Sequence, residues 1–118
     1  MTSNCNAAGN PAGTGALHAQ TSHLVALVSA GALALELWRT EQAAIELHGI
    51  YLRKIRQYEA MHGAIQGRIN PRNHEHVALI AYTMDERAAL TTARRKVYAA
   101  RHRLRAACAK AARAGVSL

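Results

Sequence analysis

The chain has 118 residues, a net charge of +8 and a hydrophobic half in which 26 residues are alanine and none is phenylalanine. That amounts to one small domain rich in helix formers and poor in β-branched and aromatic residues, which excludes a large core and a sheet. The charge is uneven: residues 1–35 carry none, residues 36–86 sum to −1, and residues 87–118 hold nine basic side chains and no acid. The expected fold class is therefore all-α, an antiparallel helical hairpin or small helical bundle of two long helices. Gly31 and Thr83 are the candidate break points.

Residues 1–15 combine Asn, Gly, Pro, Ser and Thr without hydrophobic periodicity. They read as a disordered tail, which we extend through residue 20, with a single helical domain over 21–118. Thr21 and Ser22 are the candidate N-caps of the first helix. The run from Leu24 to Leu35 is twelve uncharged, mostly apolar residues. As helix it covers roughly 18 Å against about 30 Å of hydrocarbon, which argues against integral membrane insertion. Burial against the rest of the chain or a second copy is the preferred reading. It makes Leu24, Leu27, Val28, Leu35 and Trp38 the candidate protein interface and a homodimer the accompanying expectation.

From about Leu33 to Gln66 the helical pattern strengthens. Leu47, Tyr51, Ile55, Tyr58, His62, Ile65 and Ile69 recur at steps of three and four, which keeps them on one helix face. Gly67 is the expected residue just past the helix end, Asn70 the next N-cap, and Pro71 the first residue of the helix that follows. Thr83 and Glu86 have capping-box spacing, so the chain either restarts there or runs through as helix.

The last helix, from about Glu86 to Ala114, has the most regular pattern. Leu90, Ala93, Val97, Ala100, Leu104, Ala107 and Ala111 alternate steps of three and four, a heptad seam with small residues in one column. Folding the hairpin about residues 70 and 71 pairs positions whose numbers sum to about 141, because both helices rise equally. That register brings Glu36 near Arg105 and Glu46 near Arg95, and sets the Leu33–Trp38 cluster against the alanine column.

Beside the seam, Arg87, Arg94, Tyr98, Arg101 and Arg105 share an arc, with Arg95 further round. Arginines fork onto phosphate oxygens, and an exposed tyrosine can stack a base. These six residues are the candidate anion and nucleic-acid-binding site. The expected partner is nucleic acid or an acidic protein surface. A coiled-coil assembly or adaptor module without nucleic-acid binding is the alternative.

Enzymatic chemistry finds no motif. The sequence has no glycine-rich phosphate loop and no Ser or Cys nucleophile in a recognisable setting. His62, His74 and His76 with Glu59 and Glu75 invite a metal reading, but in His74-Glu75-His76-Val77-Ala78 an alanine stands where a zincin helix needs its second histidine. No metal site and no cofactor are expected. His62 reads as a core-edge histidine held by backbone. Cys5 lies in the tail and Cys108 in a helical pattern, so a disulfide is not expected and a reducing cytoplasm is the expected compartment.

Overall fold

A computed structural model describes residues 11–116, with side chains from Gly15 onward. Three helices account for most of it: α1 Pro11–His62, α2 His74–Tyr82 and α3 Met84–Val116. No strand occurs among the described residues, and the fold is all-α as the composition requires.

α1 already includes residues 11–20, which the sequence places in the tail; residues 1–10 lie outside the described residues. Pro11 suits a first helical position because its missing N–H has no intrahelical partner there. Thr21 does not cap. Its hydroxyl donates to the carbonyl of Leu17 at 3.0 Å, which lets a threonine sit inside a helix, and Ser22 likewise lies within α1. Gly31 does not interrupt the helix either. One glycine weakens a helix by about 1 kcal/mol, which 52 residues of continuous hydrogen bonding absorb.

The C-terminus of α1 falls at His62, four residues before the expected Gln66. Gly63 adopts φ 94°, and its N–H donates to the carbonyl of Glu59 at 2.7 Å. This is the left-handed cap that glycine accommodates without a steric penalty. Gly67, also at positive φ, belongs to the following loop.

Asn70 and Pro71 build a turn instead of starting a helix. The N–H of Asn73 donates to the carbonyl of Asn70 at 3.0 Å, and the N–H of Arg72 donates to Asn70 Oδ1 at 3.0 Å. Asparagine opening such a turn and proline second in it match their preferences there. The cap of α2 is Asn73, whose Oδ1 accepts from Glu75 N–H at 2.9 Å.

Thr83 separates α2 from α3 as a single residue. Its N–H and its hydroxyl both donate to the carbonyl of Leu79, each at 3.0 Å, while its own carbonyl accepts from Arg87. A reciprocal capping box with Glu86 does not form, since the Thr83 N–H is already taken. Glu86 Oε1 is instead buried without a hydrogen-bond partner.

The described residues group into two compact units, each threaded by α1 and α3. The first contains those up to Leu37 with those from Ala100. There the two helices run antiparallel: Arg103 Nη2 meets Glu36 Oε1 at 2.9 Å, and the His23 ring lies so close to Gly115 that a Cβ there would stand 3.0 Å from its Nε2. Gly115 thus serves close approach and does not end the helix, which continues to Val116. Ala26, Ala100 and Ala111 are buried in this unit, and Leu33, Leu37, Leu104 and Ala107 half-buried.

The second unit spans Trp38–Ala99. Its buried residues are Tyr58, His76, Leu79, Thr83, Leu90, Ala93 and Val97. Tyr58 stacks on His62 at 4.4 Å and on Tyr82 at 5.6 Å between centroids, Lys54 Nζ stands 4.6 Å over the Tyr82 ring, and the Tyr82 hydroxyl donates to Gln57 at 3.4 Å. The helices are also offset from the expected register. In the first unit Glu36 meets Arg103, two residues short of the expected Arg105.

Replacing Gly63 by alanine puts a Cβ in the left-handed region and is expected to destabilise the chain by about 1–2 kcal/mol in urea unfolding. Alanine at Gly31, whose added Cβ meets nothing within 4 Å, serves as the control and leaves stability equal or higher.

Candidate nucleic-acid interface

The seam of α3 determines which of its faces remain outside. Leu90, Ala93, Val97, Ala100 and Ala111 are buried, and Leu104 and Ala107 half-buried, which is the stripe the heptad spacing marks. Every basic residue of α3 lies off that stripe and is exposed: Arg87, Arg94, Arg95, Lys96, Arg101, Arg103, Arg105, Lys110 and Arg113.

In the unit spanning Trp38–Ala99, Arg94 and Tyr98 stand one turn apart on α3, with Arg87 two turns before Arg94. Tyr98 is 66% exposed, and an exposed aromatic ring is the kind of side chain on which bases stack. Arg95, one residue from Arg94, points about 100° away from it and belongs to a different strip of the helix. In the other unit, Arg101 and Arg105 are one turn apart and exposed, and Arg103 pairs with Glu36 with both side chains about half exposed. An exposed pair of this kind is screened by salt and holds Arg103 only loosely.

Two acids sit at the start of the helix. Asp85 and Glu86 occupy the first turn of α3, where the helix dipole favours negative charge, and no Asp or Glu follows them in the sequence. The surface presented by α3 beyond that turn is cationic, helical and rich in guanidinium groups able to bond phosphate oxygens in pairs.

The candidate interface residues on α1 are outward-facing. Leu24, Leu27, Val28, Leu35 and Trp38 are all about half exposed or more. The expected packing of the Leu33–Trp38 cluster onto the alanine column holds in part. Leu33 and Leu37 turn inward while Leu35 and Trp38 turn out, because a helix cannot present six consecutive residues to one neighbour. By length and composition, α1 also contains a segment apolar enough to cross a membrane. An 18-residue window has mean hydropathy 1.4, and 11% of it is buried.

The histidines separate. His76 is 3% exposed and its Nδ1 accepts from the Asn70 N–H at 2.9 Å, so this tautomer carries its proton on Nε2. His62 is exposed and held by stacking on Tyr58, where backbone bonding at a core edge was expected; its place at the last residue of α1 puts it at the open end of the stripe. His74 is exposed at the start of α2. Among the described residues no group of three His, Cys, Asp or Glu side chains is arranged to hold a metal ion.

Two concavities belong to the Trp38–Ala99 unit. A groove of about 400 Å³ is lined by small and apolar side chains, Ala43, Leu47, Ala89 and Thr92 among them, with Lys96 its charged member. A cleft of about 250 Å³ lies where His62 and Gln66 come near Glu75 and His76. The buried role of His76 escaped the sequence reading, although His76, Leu79 and Thr83 are spaced by three and four and mark the inner face of α2.

No protein-family model matches the chain, and neither a curated protein nor a solved structure does.

His76→Leu leaves the Asn70 N–H without its acceptor. It is expected to cost about 1–3 kcal/mol in chemical denaturation, whereas His74→Leu at the exposed neighbouring position changes stability little.

Proposed function

We propose that this chain is a small, non-enzymatic, cytoplasmic helical accessory protein that holds the phosphate backbone of nucleic acid through the basic face of α3. The supporting observation is that all nine basic side chains after Glu86 are exposed on a helix that contains no further acid. Such a surface attracts a polyanion by releasing its condensed counterions, and its affinity carries little sequence information. Tyr98 adds a face on which an unpaired base can stack. Arg94, Arg101 and Arg105 are the first contacts, and Arg87 and Arg95 add further charge.

A second reading, a coiled-coil assembly or adaptor module without nucleic-acid affinity, draws on a different observation, the exposed apolar residues of α1. Binding measured across a salt series separates the two. With about five phosphates engaged, log K against log salt on duplex DNA is expected to slope at about −4 to −5. Replacing Arg94, Arg101 and Arg105 by Gln flattens that slope to about −2 and lowers affinity alike for unrelated sequences. Absence of binding to DNA and RNA at low salt, or a slope unchanged by the triple variant, removes the nucleic-acid reading.

A further inference from the structure

We propose that a second copy of this chain docks back to back on the outer ridge of α1, through Leu17, Leu24, Val28 and Leu35. The inference concerns the unit containing the described residues up to Leu37 and from Ala100, and it does not depend on what α3 binds.

In that unit α1 is apolar all round between Leu24 and Leu35 yet covered on one side only. The covered side is marked by buried Ala26, by His23 against Gly115 and by Glu36 on Arg103. At 100° per residue, Leu17, Leu24, Val28 and Leu35 lie within about 20° of the direction opposite Ala26. They are 66%, 61%, 65% and 47% exposed. A helix that is hydrophobic all round belongs inside an assembly, and here the apolar residues of its second side are exposed.

Charge selects the occupant. The ridge and its flanks contain no charged residue as far as Leu35, whereas Arg101, Arg105, Lys110 and Arg113 lie on the helix that covers the opposite side. A bilayer spanned by α1 would have to take those cations into hydrocarbon beside it, at high cost for each. Lying on an anionic membrane would call for basic residues bordering the apolar face, and this face has none. A second copy brings an identical neutral ridge and leaves each basic segment on the far side of its own α1, where mutual repulsion is least. The steps of seven, four and seven, with Thr21 and Gly31 between them, are also the heptad spacing by which helices interlock.

Sedimentation equilibrium of the full chain, free of nucleic acid and at high salt, is expected to give twice the 12.7 kDa mass of one chain. Leu24→Glu with Val28→Glu halves that mass while the helical circular dichroism is kept, and Arg94→Gln with Arg101→Gln leaves it doubled. Should the charged variant lose its helix, cysteine pairing gives an independent reading. In a Cys5→Ser, Cys108→Ser chain, Leu24→Cys and Val28→Cys, oxidised separately and mixed, form disulfide-linked dimers, whereas Ala106→Cys on the exposed side of α3 does not. A single-chain mass at all concentrations, equal cross-linking at the ridge and at position 106, or ridge-dependent sedimentation with neutral phosphatidylcholine vesicles in place of self-association overturns the proposal.

Discussion

The narrow buried stripe of α3 constrains everything else in this chain. Leu90, Ala93, Val97, Ala100 and Ala111 are almost fully removed from water, and nothing else on the helix is. Alanine at alternate layers allows a neighbouring backbone to approach closely, as the His23 ring against Gly115 shows at the far end. A helix with one thin contact line has no second surface on which to settle. Its remaining faces therefore carry arginine and lysine, which keep their charge in water while their stems lie along the helix.

Opposite demands fall on α1. It supplies the inward residues Ala26, Leu33 and Leu37 but is apolar well beyond the strip that α3 covers. The chain thus divides two kinds of surface between two helices: a cationic one on α3 and a neutral, greasy one on α1. Glu36 and Arg103 form a pair where the apolar run of α1 gives way to charge. Because that pair is half exposed, it orients the helices more than it stabilises them.

What the sequence made legible follows the strength of each signal. The α3 seam was readable because seven residues keep one period over three heptads, about six turns, and a period of that length has few alternative meanings. Ends were harder. Gly63 and Gly67 both suit a left-handed cap, and only the hydrogen bond from Gly63 to Glu59 decides between them. Asn70 and Asn73 compete in the same way for the cap of α2; a proline after Asn70 fits a turn as well as a helix start. Of the expected cross-helix pairs, the one from Glu36 falls two residues away, on Arg103 in place of Arg105. The arginine arc was legible as exposed charge, whereas buried His76 was not, since a histidine that follows His74 and Glu75 reads as solvent-facing until its hydrogen bond to Asn70 is seen.

The alanines also bear on where the driving force for association lies. Burying an alanine removes little apolar area compared with leucine or valine, so a seam whose small column is entirely alanine gives a modest hydrophobic return. Against it stands the repulsion among nine like charges on one helix, which favours expansion at low salt. The larger apolar side chains that could tip this balance, Leu17, Leu24, Val28 and Leu35, are the ones left on the outside of α1. Their burial would add hydrophobic area on a helix segment that is itself uncharged as far as Leu35. The neutral first third of the sequence and the charged last third thus divide the work of the surface: the large exposed apolar side chains stand on one helix and the dense positive charge on another.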